Sequence, residues 1–192
     1  RIACGRCQLC AELQMPAQRV GNPGRLHLVR DHRMAVESKL PRIDRSRQRM
    51  VGTSRTEGQT LVLTLNHPGQ LNTLSPDMYA AGIEALNGAE RSAEVRSVVL
   101  TGADGLFSAG GDLARLRANR KYPPAVQAAS IDALHDWIET IRAYPKPIVA
   151  AVEGAAAGAG FSLVLACDFT VASRSARFSL AYSRVGLSPD GG

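Results

Sequence analysis

Nowhere does this sequence run for the ~18–20 consecutive apolar residues that a bilayer-spanning helix requires. Its two most apolar stretches, near residues 148 and 161, are interrupted by Glu153 and closed by Asp168. The chain therefore reads as soluble, with no membrane partner. The basic N-terminus is not followed by the apolar core of a secretory signal. Cysteine is scarce: four in 192 residues, three of them in CGRCQLC (Cys4, Cys7 and Cys10). That leaves no disulfide framework and favours a reduced, cytoplasmic setting. Cys-x-x-Cys spacing suits a metal, but a closed zinc site takes four ligands, typically from two separated pairs. His27 or His32 would have to complete the set at an unsuitable spacing, so no metal is expected. Cys167 ends an apolar run and reads as buried and inert. No lysine follows either glycine-rich turn, and neither turn spells G-x-G-x-x-G as a dinucleotide fingerprint, so ATP and NAD sites lack their motifs.

Excess charge is also missing from most of the chain. The formal net charge is +6, but residues 1–49 hold ten Arg and one Lys against four acids. Residues 50–192 hold twelve basic and thirteen acidic groups and are close to neutral. A nucleic-acid partner would rest on the tail alone and is not expected. Residues 1–52 form a basic, Cys- and Arg-containing tail without helical or strand periodicity. It is expected to be disordered or to lie outside the natural reading frame, with Met50 as the start.

What is present begins near residue 53, and 53–192 is long enough for one domain with a substantial core. TLVLTL (60–65) reads as a strand ended by Asn66, His67 and Pro68. Ser75 and Pro76 have the chemistry of a helix cap and first helical position, with Gly88 as the expected end. RSVVLT (96–101) is a second strand. Leu113 and Leu116 suggest a short helix, and 117–130 reads as a mobile loop. Residues 130–144 carry apolar positions 131, 134, 138 and 141 at helical spacing, stopped by Pro145 and Pro147. Strands at 148–152, 169–172 and 176–179 follow, with a buried helix between the first two. Strands alternating with helices make a layered α/β fold.

Two small-residue turns, FSAGGD (107–112) and EGAAAGAG (153–160), each follow a strand. Each is either a tight strand–helix turn or a place where a ligand meets bare amide N–H groups. Two such turns converging on one carbonyl oxygen would build an oxyanion hole.

Four blocks carry a resemblance: LVLTLNHP with QLNTLS, SVVLTGADGLFSAGGDL, KPIVAAVEGAAAGAGFSLVLACDFTVAS, and ARFSLAYSRVGLSPDGG. Over roughly residues 56–192 the chain resembles the enoyl-CoA hydratase/isomerase (crotonase) family. The resemblance implies a crotonase-like (ClpP/crotonase) spiral of ββα units, with the C-terminal helical part missing. It implies an acyl-CoA thioester substrate, no cofactor beyond the CoA moiety, and a homotrimer or dimer of trimers in the full-length parent. It also implies two oxyanion-hole amides, at Gly111 and Ala159. CoA would lie near Ser108, Ala109, Gly111, Asp112 and Leu113, and near Leu71 and Asn72. Arg115, Arg117, Arg120 and Lys121 either meet CoA phosphates or form a solvated helix face.

The chain departs from the hydratases of that family where they carry two glutamates: here stand Ser162 and Tyr182. Paired carboxylate activation of water is therefore not expected, since a serine cannot serve as the base unaided. Asp190, in SPDGG, resembles the branch of ring-1,2-epoxyphenylacetyl-CoA isomerase-like enzymes. One carboxylate whose pKa burial would raise suffices for a proton relay. The implied function is enoyl-CoA double-bond isomerisation, in fatty-acid or aromatic catabolism. A hydratase and a non-catalytic CoA-binding relative are the alternatives. Asp112, Asp168 and His67 read as structural, and Tyr182 as a candidate lining residue of the acyl pocket.

Overall fold

The computed structural model describes residues 53–67, 69–189 and 191; the expectations for the tail (1–52) and for Asp190 lie outside the described residues. Each repeat sends one strand into a large sheet and the next extended segment into a small one, then adds a helix. Strands β1 (Thr53–Glu57) and β2 (Thr60–Leu65) pair antiparallel. Helix α1 (Pro76–Glu90) follows and leads to β3 (Ser97–Gly102). Helices α2 (Leu113–Asn119) and α3 (Pro124–Arg142) lead to β4 (Ile148–Val152), β5 (Ala155–Ala157) and α4 (Ala159–Ala166). Strands β6 (Phe169–Ala172) and β7 (Arg177–Ser179) and a 3-10 turn (Tyr182–Val185) complete the described chain.

The large sheet has the order β1-β2-β3-β4-β6, parallel from β2 onward. Parallel strands need crossovers, and α1, the α2–α3 pair and α4 supply them. The small sheet pairs β5 with β7 and is extended by bridges from Ser108 to Ala156 and from Leu74 to Gly111. Four successive repeats thus stack one backbone segment each in this inner layer. This is the expected α/β, crotonase-like spiral of ββα units.

The core lies between the large sheet and the helices. Leu61, Leu63, Val98, Leu100, Ile148 and Ala150 meet Met78, Leu86, Leu134, Trp137, Ile141 and Leu163 in one apolar cluster. Helix α4 is buried along 159–164, as its unbroken apolar sequence predicts.

Ser75 caps α1 as expected, its Oγ accepting from the Met78 N–H at 3.3 Å. The helix does not stop at Gly88 but continues to Glu90. Its last carbonyls are capped from the α3–β4 connection: Tyr144 OH donates to Leu86 O at 3.0 Å, and Lys146 Nζ donates to Ala89 O at 2.7 Å. These bonds tie the end of α1, two residues longer than expected, to that connection.

The expected loop at 117–130 is corrected. Helix α2 runs to Asn119 and α3 already begins at Pro124, the proline at a first helical position where its missing N–H costs nothing. Helical periodicity was invisible there because the buried residues of α3 start only at Leu134. Polar bonds hold the two helices together instead: Arg115 Nη1 donates to Ser130 Oγ at 2.6 Å, and Asn119 Nδ2 donates to Gln127 Oε1 at 2.9 Å.

Cys167 is free and buried, and its Sγ–H donates to Leu163 O at 3.2 Å. Burial, with the neighbouring Asp168 charge second, pushes its thiol up to about 12. It stays protonated and non-nucleophilic at neutral pH. Asp168 is structural: its Oδ2 accepts from the Ile148 N–H at 2.8 Å, while its own N–H donates to Ile148 O at 3.0 Å. That reciprocal pair fixes the end of α4 to the start of β4.

Candidate active site

Two turns leave the inner layer side by side. In the first, Ser108 N–H donates to Ala155 O and Ala157 N–H donates to Ser108 O, so the 107–112 segment lies along β5. Gly110 has φ +90, and a Cβ built there would lie 2.4 Å from Ala157 O and 3.3 Å from the Ala159 nitrogen. Only glycine supplies both the left-handed conformation and the backbone contact. In the second turn, Gly158 (φ 49, ψ −126) is the N-cap of α4 and Ala159 is its first helical residue. A Cβ at Gly160 would lie 2.7 Å from Ser108 Cβ, so the first turn of α4 rests directly on the first loop.

The structure thereby brings the Gly111 segment against the Ala159 amide. Among the described residues no backbone hydrogen bond runs from the Gly111 or the Ala159 N–H. The Ala159 N–H is one of the donors that any helix start leaves free, at the positive end of the α4 dipole. Ala159 is helical rather than left-handed, which is why alanine is tolerated there. Two unpartnered donors on touching turns are suited to hold an oxygen that gains negative charge.

The other expected contact residues divide into scaffold and surface. Asn72 is buried at φ 51, with its side-chain N–H groups donating to Ala103 O (3.0 Å) and Leu106 O (2.7 Å). Its Oδ1 accepts from the His67 N–H at 3.0 Å. Ser108 is fully buried; its Oγ–H donates to Asn72 O at 2.7 Å, and the same oxygen accepts from the Gly110 N–H at 3.0 Å. Both side chains are spent on shaping the loop. Asp112 caps α2, its Oδ1 accepting from the Ala114 and Arg115 N–H groups at 2.8 and 3.2 Å. His67 Nδ1 lies 3.0 Å from Thr73 O and belongs to the same turn. Ala109 N–H donates to Leu71 O at 3.0 Å. Leu71 and Leu113, by contrast, are 66% and 60% exposed and leave apolar surface beside the first loop. Arg115 turns toward α3, whereas Arg117, Arg120 and Lys121 face solvent.

Asn72→Ala is expected to destabilise the chain by roughly 2–4 kcal/mol, because it removes the partners of the Leu106 carbonyl and the His67 N–H, takes one of two donors from the Ala103 carbonyl, and puts alanine in the left-handed region. Asn72→Asp should do no better, since a carboxylate would face two carbonyl oxygens. Denaturant unfolding checks both; a loss below about 0.5 kcal/mol for either would refute this role.

Ser162 and Tyr182 come together, at the two positions that the resemblance paired. Ser162 Oγ and Tyr182 OH lie 3.3 Å apart and both residues are buried. One alcohol and one phenol thus stand where the resemblance puts two carboxylates. No group of three or more His, Cys, Asp or Glu able to hold a metal occurs among the described residues. Nor is any helix among them long and apolar enough to cross a membrane.

The sequence profile of a family described as enoyl-CoA hydratase/isomerase matches residues 55–192. The 1,2-epoxyphenylacetyl-CoA isomerase of Escherichia coli K12 is 38% identical over 140 residues, covering 72% of this chain and 53% of that protein. The human mitochondrial Delta(3,5)-Delta(2,4)-dienoyl-CoA isomerase is 34% identical over 140 residues, covering 69% and 43%. Among solved structures, an enoyl-CoA hydratase from Polaromonas sp. JS666 superposes with a TM-score of 0.73 at 63% identity, covering 74% of this chain and 55% of that one. The chain thus spans about half the length of the relatives it matches.

Proposed function

Since the chain belongs to the enoyl-CoA hydratase/isomerase family, we propose that it processes acyl-CoA thioesters and that its reaction is double-bond isomerisation. The observation carrying this reading is the contact of Gly110 with the Ala157–Ala159 turn, which gathers two unpartnered amide donors. A thioester oxygen accepting from the Gly111 and Ala159 N–H groups gains charge as the Cα or Cγ proton leaves. The donors are in place before the charge develops, so they stabilise the enolate more than the ground state. Asp190 takes the proton, the electron pair spreads over the dienolate, and the new carboxylic acid returns the proton at the other end. Nothing is added to or lost from the substrate.

Isomerisation is favoured over hydration by the Ser162–Tyr182 pair. Neither hydroxyl is a base near neutral pH, so no two carboxylates are there to activate water. The CoA arm would lie along Leu71 and Leu113, and the backbone of 108–113 would line its path. Active assembly is proposed to be a homotrimer or dimer of trimers.

Supplying a 3-enoyl-CoA and crotonyl-CoA separately tests the proposal. The first should convert to the conjugated 2-enoyl thioester. Water addition to the second should be at least ~100-fold slower, the size of effect a general base contributes. Equal hydration of crotonyl-CoA would establish the hydratase alternative, and thioester binding without either turnover the non-catalytic one.

A further inference from the structure

The two edges of the large sheet differ in chemistry. β1 carries the exposed Arg55–Glu57 ion pair, and charges of this kind keep an edge from pairing with another chain. β6 ends the sheet on the other side and, among the described residues, pairs only with β4. From Phe169 to Ser173 its sequence, FTVAS, holds no charge. We propose that the β6 edge docks a second copy of this chain, the two β6 strands pairing antiparallel about a two-fold axis at Val171. This inference does not rest on the isomerase reading.

Register decides which backbone groups are free for such a contact. Val98 N–H donates to Pro147 O from the β3 side of β4, and Ser173 N–H donates to Val152 O from the β6 side. Backbone groups alternate sides along a strand, so Ile148, Ala150 and Val152 address β6, and Phe169 and Val171 face back to them. The N–H and C=O groups of Thr170 and Ala172 point the other way, to the open edge. Side chains alternate too. Ala172 packs against the core, whereas Phe169 and Val171 are 52% and 41% exposed on the outer face, beside Val149 and Ala151.

A two-fold contact must be self-complementary, and this one is. With Val171 opposite its own copy, Thr170 of each strand faces Ala172 of the other, and these residues exchange N–H···O bonds. Val171 then forms a non-hydrogen-bonded pair, the type that brings side chains closest. Asp168, just before β6, falls level with the partner's Arg174, in the turn just after it, and both are exposed. Opposite charges thus meet at each end of an apolar centre. Moving the axis to Thr170 would set Asp168 level with Ala172 and leave both charges without a counterpart.

Mass in solution would be measured by light scattering over a range of concentrations for the unaltered chain, Val171→Lys, Arg174→Glu and Arg55→Ala. The unaltered chain should pair as concentration rises. Val171→Lys should raise the dissociation constant at least ~100-fold, because two lysines would meet at the axis. Arg174→Glu sets a second acid against Asp168 and should weaken pairing about 10-fold at low salt, less at high salt. Arg55→Ala, at the far edge, should change nothing. All three substituted residues are exposed, so the fold should survive, and unfolding curves check that it does. In any larger assembly the same loss of pairing halves the mass. Hydrogen exchange gives a second readout: the Thr170 and Ala172 amides should gain at least ~10-fold protection on pairing, while Val171, already bonded to β4, should not. A chain that stays monomeric to ~100 µM would overturn the proposal and give the open edge to a further polypeptide segment, which the longer relatives have the length to supply. Pairing that survives Val171→Lys, or that Arg55→Ala abolishes, would overturn it as well.

Discussion

Asp190→Asn should reduce isomerisation by two to four orders of magnitude, the contribution of a well-placed general acid–base, while acyl-CoA affinity changes by no more than about threefold. The amide keeps the size and polarity of the carboxylate but cannot accept the proton that must leave Cα or Cγ. Binding should survive because it draws on different groups. The thioester oxygen would meet the Gly111 and Ala159 N–H groups, and the CoA arm would meet Leu71 and Leu113, whose exposure of 66% and 60% leaves them free to be covered. A fall in kcat without a rise in KM is the pattern of an interaction made only in the transition state. Stopped-flow binding and turnover on the same preparation would separate the two quantities. Unchanged turnover would remove Asp190 from the mechanism. The proton would then need another carrier, and neither Ser162 nor Tyr182 has an ordinary pKa suited to that task.

The parts of the fold that can be read in the sequence are those where apolar strands end at abrupt punctuation. β2, β4 and β6 are found at their expected bounds, because runs such as TLVLTL and IVAAV are flanked by glycine, proline or acidic residues. β1 escaped because its sequence, TSRTE, is polar. It is an edge strand, and its Arg55–Glu57 ion pair at 2.7 Å lies on an exposed surface. β5 escaped because three alanines inside a glycine-rich turn have no strand preference; neighbours in the inner layer make it extended. The two small-residue turns were legible as turns because bare backbone leaves a compositional mark. What Asn72 and Ser162 do was not, since their partners lie between 5 and 36 residues away along the chain. Asn72 was expected beside CoA, and its amide is committed to Ala103 and Leu106. The side chain of a polar residue in a recognisable block can thus hold the block's shape. Local pattern does not distinguish these roles, because the distinction lies in which distant carbonyl the fold delivers.

Gly110→Ala should combine two steric penalties, a left-handed backbone and a backbone clash. The residue has φ +90, and its new Cβ would stand 2.4 Å from Ala157 O and 3.2 Å from Ala157 C, both backbone atoms that cannot rotate away. Relief requires one turn to withdraw from the other, and the Ala159 nitrogen, 3.3 Å from that Cβ, moves with it. Roughly 2–4 kcal/mol of stability should be lost, within the range for strain at special backbone positions combined with overpacking. Turnover should fall at least ~100-fold, comparable to losing one oxyanion donor. Gly58→Ala separates strain from contact. Gly58 also has a positive φ of 58 but meets nothing within 4 Å, and it lies in the β1–β2 turn away from the site. That variant should lose only about 1 kcal/mol, from the backbone term alone, and keep full activity. If Gly110→Ala behaved like Gly58→Ala in both unfolding and turnover, the two turns would not be in the contact on which the oxyanion hole depends. A fold destabilised equally by both, with activity lost only in Gly110→Ala, would instead assign the whole catalytic effect to the spacing of the Gly111 and Ala159 donors.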